Sequence, residues 1–240
     1  MKLRAQQEHW NRMAREDPFW AILTDPAKRH GGWDAGQFFS TGRDEIASAM
    51  EYAEGLGLPA ERGHALDFGC GAGRLTQALA GYFDRVTGVD ISPAMIELAR
   101  RYNRAGERCA YVVNGEEHLG QFADASFDMV YSRIVLQHLP GPQARRYVRE
   151  FVRLLRPRGL ALFQLPSRLA SPRLWSRLGY RLNLWTRRRI LRQPRLMEMY
   201  GVPREVVLRD LEECGGRLVD AQPDSSAGPE WESWRYAVSR

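Results

Sequence analysis

Cysteine, lysine and long apolar runs are all scarce in this 240-residue chain. Its three cysteines (Cys70, Cys109 and Cys214) are far apart and form no CxxC pair, which argues against a disulfide scaffold and a zinc site. No apolar run reaches the roughly 18 residues of a transmembrane helix, and the polar N-terminus lacks the apolar core of a signal peptide. We therefore expect a cytoplasmic protein without a bound metal ion.

The net charge of +6 is concentrated in one short stretch. Residues 167–197 carry nine arginines and no acidic residue, and their leucines and tryptophans recur every three or four positions. A basic amphipathic helix of this kind is typical of a membrane surface or a partner contact. Its arginines would equally suit RNA phosphates or an acidic small substrate, or they form a solvated face over a leucine core.

Short apolar runs alternate with helical patterns between residues 63 and 166, which is typical of a doubly wound α/β fold with a parallel sheet. Strands are predicted at 65–68, 85–90, 110–113, 127–131, 160–165, 217–221 and 235–239, the last two as an antiparallel hairpin. Four regions follow from this pattern: an N-terminal helical cover (1–62), a core (63–166), a basic helical cap insertion (167–205) and a final helix with its hairpin (206–240).

A glycine-rich turn and an acidic residue form the most specific motif of the chain. A predicted strand ending in Asp67 and Phe68 leads into Gly69-Cys70-Gly71-Ala72-Gly73 and then into a helix. Glycines at such a junction permit a tight turn and a close approach of ligand to backbone. Asp90 ends the next predicted strand, where a carboxylate can accept hydrogen bonds from both hydroxyls of a ribose.

The run from Leu66 to Arg100 contains both features and resembles the cofactor motifs of class I S-adenosylmethionine-dependent methyltransferases. The resemblance covers residues 63–166 and implies a seven-stranded Rossmann-like sheet with an antiparallel last strand. It also implies S-adenosyl-L-methionine as cofactor and S-adenosyl-L-homocysteine as product. Carried over by residue, the methionine part would lie near Asp67, Gly69, Gly71 and Gly73, the ribose at Asp90, and the adenine between Ile91 and Met95.

Other cofactor contacts carry weaker signals. After the third strand similar proteins often place an aspartate, and here Asn114 or Glu116 would serve, or the turn with Gly115 supplies backbone contacts alone. After the fourth strand, the backbone at Ser132 and Arg133 would pass under the cofactor sulfur.

A further contact is predicted from a helix start. Ser40, Thr41 and Gly42 precede two acidic residues, which predicts a helix from Arg43 to Gly55. Thr41 and Gly42 would then lie at a helix N-terminus able to bind the cofactor carboxylate.

Methyl transfer is an in-line displacement, so the enzyme mainly positions the reactants and needs a base only where the acceptor loses a proton. His138 is the candidate base, the alternative being a histidine that caps or packs the next helix. His64 and His118 are expected on solvated connections. Gln137 and Gln164 would line the acceptor pocket, although Gln164 equally fits a satisfied core amide.

The N-terminal region is rich in large aromatic side chains, which either form a lid that excludes water or pack onto the sheet. These are Trp10, Phe19, Trp20, Trp33, Phe38 and Phe39.

We predict transfer of a methyl group to an oxygen or nitrogen atom of a small metabolite. An acidic metabolite would suit the arginines of residues 167–197. Similar enzymes often carry substrate-recognition insertions after the fifth strand, which favours a substrate cap at 167–205. No Asn-Pro-Pro-Tyr sequence follows the fourth strand, which argues against methylation of adenine amines in nucleic acid. One alternative is an RNA or lipid methyltransferase that binds its substrate, or contacts a membrane surface, through residues 167–197. The other is a cofactor-binding accessory module without turnover. The sequence assigns no oligomeric state.

Overall fold

A computed structural model describes residues 3–170 and 198–240. The predicted basic helix therefore lies mostly outside the described residues, at 171–197. The helices are α1 (Leu3–Glu16), α2 (Pro18–Ile22), α3 (Ala35–Gly55), α4 (Arg74–Leu79), α5 (Pro93–Tyr102), α6 (Gly141–Leu154) and α7 (Arg204–Glu213). The strands are β1 (His64–Phe68), β2 (Arg85–Asp90), β3 (Cys109–Val113), β4 (Phe127–Ser132), β5 (Leu155–Leu169), β6 (Arg217–Pro223) and β7 (Trp231–Ser239).

The seven strands form one sheet in the order β3-β2-β1-β4-β5-β7-β6. Strands β1 to β5 pair in parallel, whereas β7 is antiparallel to both β5 and β6. The predicted doubly wound α/β sheet with an antiparallel last strand is thus confirmed. All six residues of β4 are buried, as expected for a central parallel strand covered on both faces.

Two apolar cores lie on opposite faces of the sheet. On one face, α3, α4 and α5 contribute buried side chains such as Ile46, Leu79 and Ile96. On the other, α6 and α7 contribute residues such as Phe151 and Leu211. Helices on both faces hold the sheet rigid, so the loops at its carboxyl edge are fixed in position.

The start of α3 differs from the prediction. The helix begins at Ala35, and its N-cap is Asp34, whose side chain accepts a hydrogen bond from the Gln37 amide at 2.9 Å. The Thr41 hydroxyl instead donates to the Phe38 carbonyl at 2.7 Å, within the helix. Thr41 and Gly42 therefore lie in the helix interior, and the predicted helix N-terminus at these residues is wrong because Thr41 bonds back along the helix and caps nothing.

Helix α1 docks on the core through polar side chains and a small apolar cluster, and only Gln6 and Ala14 of the helix are buried. Gln7 donates to the Ile91 carbonyl at 3.0 Å. The Asn11 side-chain oxygen accepts from the Ser92 hydroxyl at 2.7 Å and from the Ala94 amide at 3.2 Å. Because the Ser92 hydroxyl in turn caps α5, α1 is fixed to the start of α5 directly after β2.

Two predictions about histidines have opposite outcomes. His118 is exposed, as predicted. The prediction that His64 lies on a solvated connection is wrong. His64 is the first residue of β1, and its ring lies 2.9 Å from the Thr87 hydroxyl. Burial lowers the pKa of His64 to about 4.

Across residues 3–170 and 198–240, the helices are too short or too polar to traverse a lipid bilayer. The same part of the chain contains no cluster of side chains suited to a metal ion.

Candidate functional site

A cavity of about 1130 Å³ opens at the carboxyl edge of the parallel sheet. Its floor is formed by the ends of β1 and β2 and by the loops that follow β1, β2 and β4. Its walls come from α1, α2, residues 24–30 and the loop between β6 and β7. Open α/β sheets bind ligands in this position, so the fold alone singles out the cavity.

The glycine-rich turn between β1 and α4 forms part of the floor. Gly69, Gly71 and Gly73 have φ of +79°, +51° and +80°, a backbone conformation that favours glycine. A Cβ atom on Gly69 would lie 2.3 Å from the Val135 side chain, so the loop after β4 packs directly against this turn. The amides of Gly69 and Cys70 donate to the Val89 carbonyl at 2.7 and 3.0 Å, which ties the turn to the end of β2.

Asp90 ends β2 at the cavity floor. One carboxylate oxygen accepts from the Ser92 amide at 2.8 Å and the other from the Gly71 amide at 3.0 Å. Burial raises the pKa of Asp90, and these two hydrogen bonds act in the opposite direction. Each carboxylate oxygen can accept a second hydrogen bond, so Asp90 remains able to bind a pair of ligand hydroxyls.

Asp67 is buried beneath the turn and does not line the cavity. It accepts a hydrogen bond from the Thr76 hydroxyl at 2.6 Å. Burial raises the pKa of Asp67 to about 7 despite this hydrogen bond and the nearby Arg74. The contact between Asp67 and a ligand stays a prediction, and the contact that the structure shows joins Asp67 to α4 below the turn.

Arg74, the first residue of α4, is a site residue that the sequence analysis missed. It lines the cavity although its side chain is only 2% exposed, and it donates to Glu45 at 2.8 Å and to the Thr41 hydroxyl at 3.2 Å. Its buried Nε atom has no hydrogen-bond partner. An arginine directly after a glycine turn at a helix start is the sequence signal that would have found it.

Arg133 follows β4 and also lines the cavity. Its guanidinium lies 3.6 Å from a Glu45 oxygen and 3.9 Å from an Asp224 oxygen. Glu45 thus joins Arg74 and Arg133 at one end of the cavity, and Arg133 connects this cluster to the loop after β6. Neighbouring negative charges raise the pKa of Arg133, so it remains cationic.

At the end of β3, Asn114 reaches the cavity while Gly115 and Glu116 do not. The Asn114 amide donates to the Tyr147 hydroxyl at 3.2 Å and to the Glu116 carbonyl at 3.1 Å. Of the two predicted candidates at this turn, Asn114 is thus the one that lines the cavity.

His138 lines the cavity at the end of a short 3₁₀ helix, Leu136–His138. Its Nδ1 lies 3.1 Å from the Glu198 carbonyl, which can only accept, so Nδ1 carries the proton. Its Nε2 is then an acceptor, 3.3 Å from the Gln137 side-chain nitrogen. Burial lowers the pKa of His138 to about 4, which keeps the imidazole neutral at physiological pH.

About half of the predicted site residues line this cavity. Those that line it are Gly69, Gly71, Asp90, Ile91, Met95, Asn114, Arg133, Gln137 and His138. Those that do not are Thr41, Gly42, Asp67, Gly73, Gly115, Glu116, Ser132 and Gln164. Ser132 is buried and donates to the Phe68 carbonyl at 3.1 Å, so it connects β4 to β1.

The N-terminal aromatic side chains lie in two separate places. Trp10 and Trp20 line the cavity, and the Trp10 ring lies 5.4 Å from that of His138 in an edge-to-face arrangement. Phe19 and Phe38 stack at 4.2 Å in a separate apolar cluster, with Trp33 and Phe39 packed around them.

Residues 66–163 match a protein family described as a methyltransferase domain. A ubiquinone biosynthesis O-methyltransferase from Xanthomonas euvesicatoria is 35% identical over 95 residues, 39% of this chain and 39% of that protein. A protein of the same description from Coxiella burnetii is 33% identical over 117 residues, 48% of this chain and 49% of the relative. The chain therefore aligns with less than half the length of these curated relatives.

Among solved structures, a magnesium protoporphyrin IX methyltransferase from Synechocystis with bound S-adenosylhomocysteine has a TM-score of 0.67. It is 18% identical, and the alignment covers 99% of both chains. A likeness at this identity shows the fold alone.

Proposed function

We propose that this chain methylates an oxygen atom of a small molecule. The premise is that the chain is a class I S-adenosylmethionine-dependent methyltransferase by its fold and its matched domain. The observation that carries the cofactor assignment is Asp90, which ends β2 at the cavity and is tied to the Gly71 amide. When bound, S-adenosylmethionine would supply an activated methyl group on a sulfonium.

The residues at the cavity floor fit the nucleoside half of this cofactor. Asp90 would accept the ribose hydroxyls, because its carboxylate retains acceptor capacity beside its two backbone donors. Ile91 and Met95 line the same region and offer apolar contact for the adenine ring. Asn114 would reach the adenine edge from β3.

The other end of the floor fits the amino-acid half. Gly69 and Gly71 expose backbone where a Cβ atom would already crowd Val135 and Ile22. Arg74 supplies a buried, unpartnered Nε atom. A charge-assisted hydrogen bond from Arg74 to the cofactor carboxylate would satisfy that atom, in place of the contact first predicted at Thr41 and Gly42.

The size of the cavity supports a small-molecule acceptor beside the cofactor. Small-ligand sites commonly measure about 300–1,000 Å³, and this cavity is about 1130 Å³. Trp10, Trp20 and His138 would form the acceptor side of the site, and the relatives named O-methyltransferases favour oxygen over nitrogen as the methylated atom.

We assign His138 the role of accepting the proton of the acceptor hydroxyl at Nε2. The Glu198 carbonyl fixes the ring with this nitrogen unprotonated, and the low pKa of the imidazole keeps it so at neutral pH. The acceptor hydroxyl would replace Gln137 as the donor to Nε2. Because a group of low pKa is a weak base, the proton would transfer as the new carbon–oxygen bond forms and the hydroxyl becomes more acidic.

Label transfer tests the proposal. The protein would be incubated with methyl-labelled S-adenosylmethionine and an extract of its host, which would then be divided into small-molecule, lipid, RNA and protein fractions. We expect label in the small-molecule fraction with wild type. We also expect Asp90→Ala to bind S-adenosylhomocysteine more than about tenfold more weakly, because the ribose hydroxyls lose a charged acceptor. A matched control is Asp84→Ala, since Asp84 is an exposed carboxylate before β2.

Each alternative has its own outcome in this experiment. Label in RNA or lipid would favour a substrate gripped by the arginines of 167–197. Cofactor binding with no label in any fraction would favour an accessory module. Unchanged affinity in Asp90→Ala would remove Asp90 from the site.

A further inference from the structure

Ile134 has a backbone conformation that β-branched residues rarely adopt. Its φ is +53°, in the left-handed region, where the branched side chain is crowded by its own backbone. The residue belongs to the loop after β4 and lines the cavity. Strained residues of this kind persist only where the surrounding structure holds them, and they concentrate at functional sites.

The backbone of Ile134 is hydrogen-bonded to the side chain of Gln164 in β5. Its Oε1 accepts a hydrogen bond from the Ile134 amide at 3.1 Å. Its Nε2 donates to the Ser233 hydroxyl in β7 at 2.7 Å. With both ends of the amide bonded to neighbouring elements, the side chain has one orientation, and that orientation presents an acceptor to the loop.

Gln164 is a costly residue at its position. It is 1% exposed, and the residues of β5 around it, including Leu162, Phe163 and Leu165, are apolar and equally buried. A buried amide is unfavourable unless its polar atoms are paired, so an apolar residue would be the simpler choice for a core strand. The pairing with Ile134 gives the amide a role that an apolar residue cannot fill.

Both neighbours of Ile134 contact the cofactor end of the cavity. Val135 packs against Gly69, where an added Cβ atom would be 2.3 Å away. Arg133 lies 3.6 Å from Glu45, which also pairs with Arg74. The turn at Ile134 thus directs one neighbour against the glycine turn and the other toward the arginine cluster.

We propose that Gln164 is a positioning residue for methyl transfer: its buried amide holds Ile134 in the left-handed conformation, and this sets Val135 and Arg133 against the cofactor site. The inference rests on the proposed function and adds to it a residue outside the cavity. Without Gln164, the loop would relax and only a fraction of molecules would be competent to bind. The apparent dissociation constant rises in inverse proportion to that fraction.

A double-mutant cycle with Ile134→Gly tests this inference, using S-adenosylhomocysteine as the probe and calorimetry as the measurement. Gln164→Met removes the amide at similar size, and we expect it to weaken binding at least about tenfold. Adding Gln164→Met to Ile134→Gly should cost less than about threefold, because glycine adopts the left-handed conformation without strain. Gln164→Glu is the conservative variant: a buried acid is protonated, retains an acceptor for the Ile134 amide and should bind within about threefold of wild type.

Ser233→Ala is the matched control, since it breaks the other hydrogen bond of Gln164 and leaves the one to Ile134. It should lower stability in urea but change binding less than about threefold. Equal losses of binding from Gln164→Met in both backgrounds, or wild-type binding in Gln164→Met, would overturn the inference. If wild type itself failed to bind the probe, the proposed function would fall. The same cycle followed by urea unfolding would still decide whether Gln164 holds Ile134.

Discussion

Replacing the buried Asp67 by asparagine should change how stability depends on pH. Burial raises the pKa of this carboxyl from 3.8 to about 7, while the unfolded chain titrates near the lower value. Each tenfold change in an acid constant corresponds to about 1.4 kcal/mol. The folded state therefore loses about 4 kcal/mol relative to the unfolded state as the carboxyl ionises.

The direction of the effect follows from proton uptake. Between pH 4 and pH 7 the folded protein retains a proton on Asp67 that the unfolded chain has released. The free energy of unfolding due to this group therefore falls as pH rises through that window and is level above it. His64 and His138 act in the opposite direction, because burial lowers the pKa of each to about 4 and makes stability fall as pH drops below 6.5.

Subtracting the free energies of unfolding of the two proteins isolates the contribution of the Asp67 carboxyl. Urea unfolding of wild type and Asp67→Asn would be measured from pH 4 to pH 8, and the difference should move in favour of the variant by about 4 kcal/mol. Any constant cost of burying the new amide cancels in this slope. Thr76→Val is the control: it removes the donor that lowers the pKa of Asp67, so it should extend the loss of stability to higher pH. A difference that stays constant across the range would refute the reasoning.

Three further predictions concern single sites. His138→Ala should lower turnover while S-adenosylhomocysteine affinity stays within about threefold of wild type, and equal turnover would contradict its role. Asp210→Asn should destabilise the protein by about 1–3 kcal/mol at pH 7, because the buried carboxylate accepts from Arg145 at 2.6 and 2.8 Å. The arginines lower the pKa of Asp210, so this difference should disappear as pH falls below 3.8, which urea unfolding would show. Gly69→Ala should destabilise by about 1–3 kcal/mol, and Val135→Ala should recover part of that loss if the 2.3 Å contact is its cause.

Local chemistry made much of the fold predictable. Strand β2 was predicted at the residues where it occurs, 85–90, since an apolar run there lies between a loop and the cap at Ser92. The same reasoning failed at α3. Ser40 and Thr41 have the composition of a cap, but Asp34 supplies the cap, and hydroxyl side chains within a helix can bond to their own backbone instead.

The site, like the fold, contains features that were predictable from the sequence and features that were not. Asp90 and the glycine turn were predictable because neighbouring strands and a short turn bring them together. The partners that complete the site come from distant parts of the chain: Glu45 for Arg74, and Glu198 for His138. Pairings of this kind follow from tertiary packing, and no local spacing marks them. Gln164 was open to two interpretations for the same reason, since its partners lie in the loop after β4 and on β7.

The docking of α1 through Gln7 and Asn11 has a consequence for the order of assembly. The contact between Asn11 and Ser92 joins residues separated by 81 positions, so a long loop must close before this wall of the cavity exists. Few apolar side chains reward that closure, and α1 should therefore join after the sheet has formed and exchange its amide hydrogens early. A ligand bound between α1 and β2 would contact one element that forms late in folding and one that forms early. Slower hydrogen exchange in α1 would then report occupancy of the cavity directly.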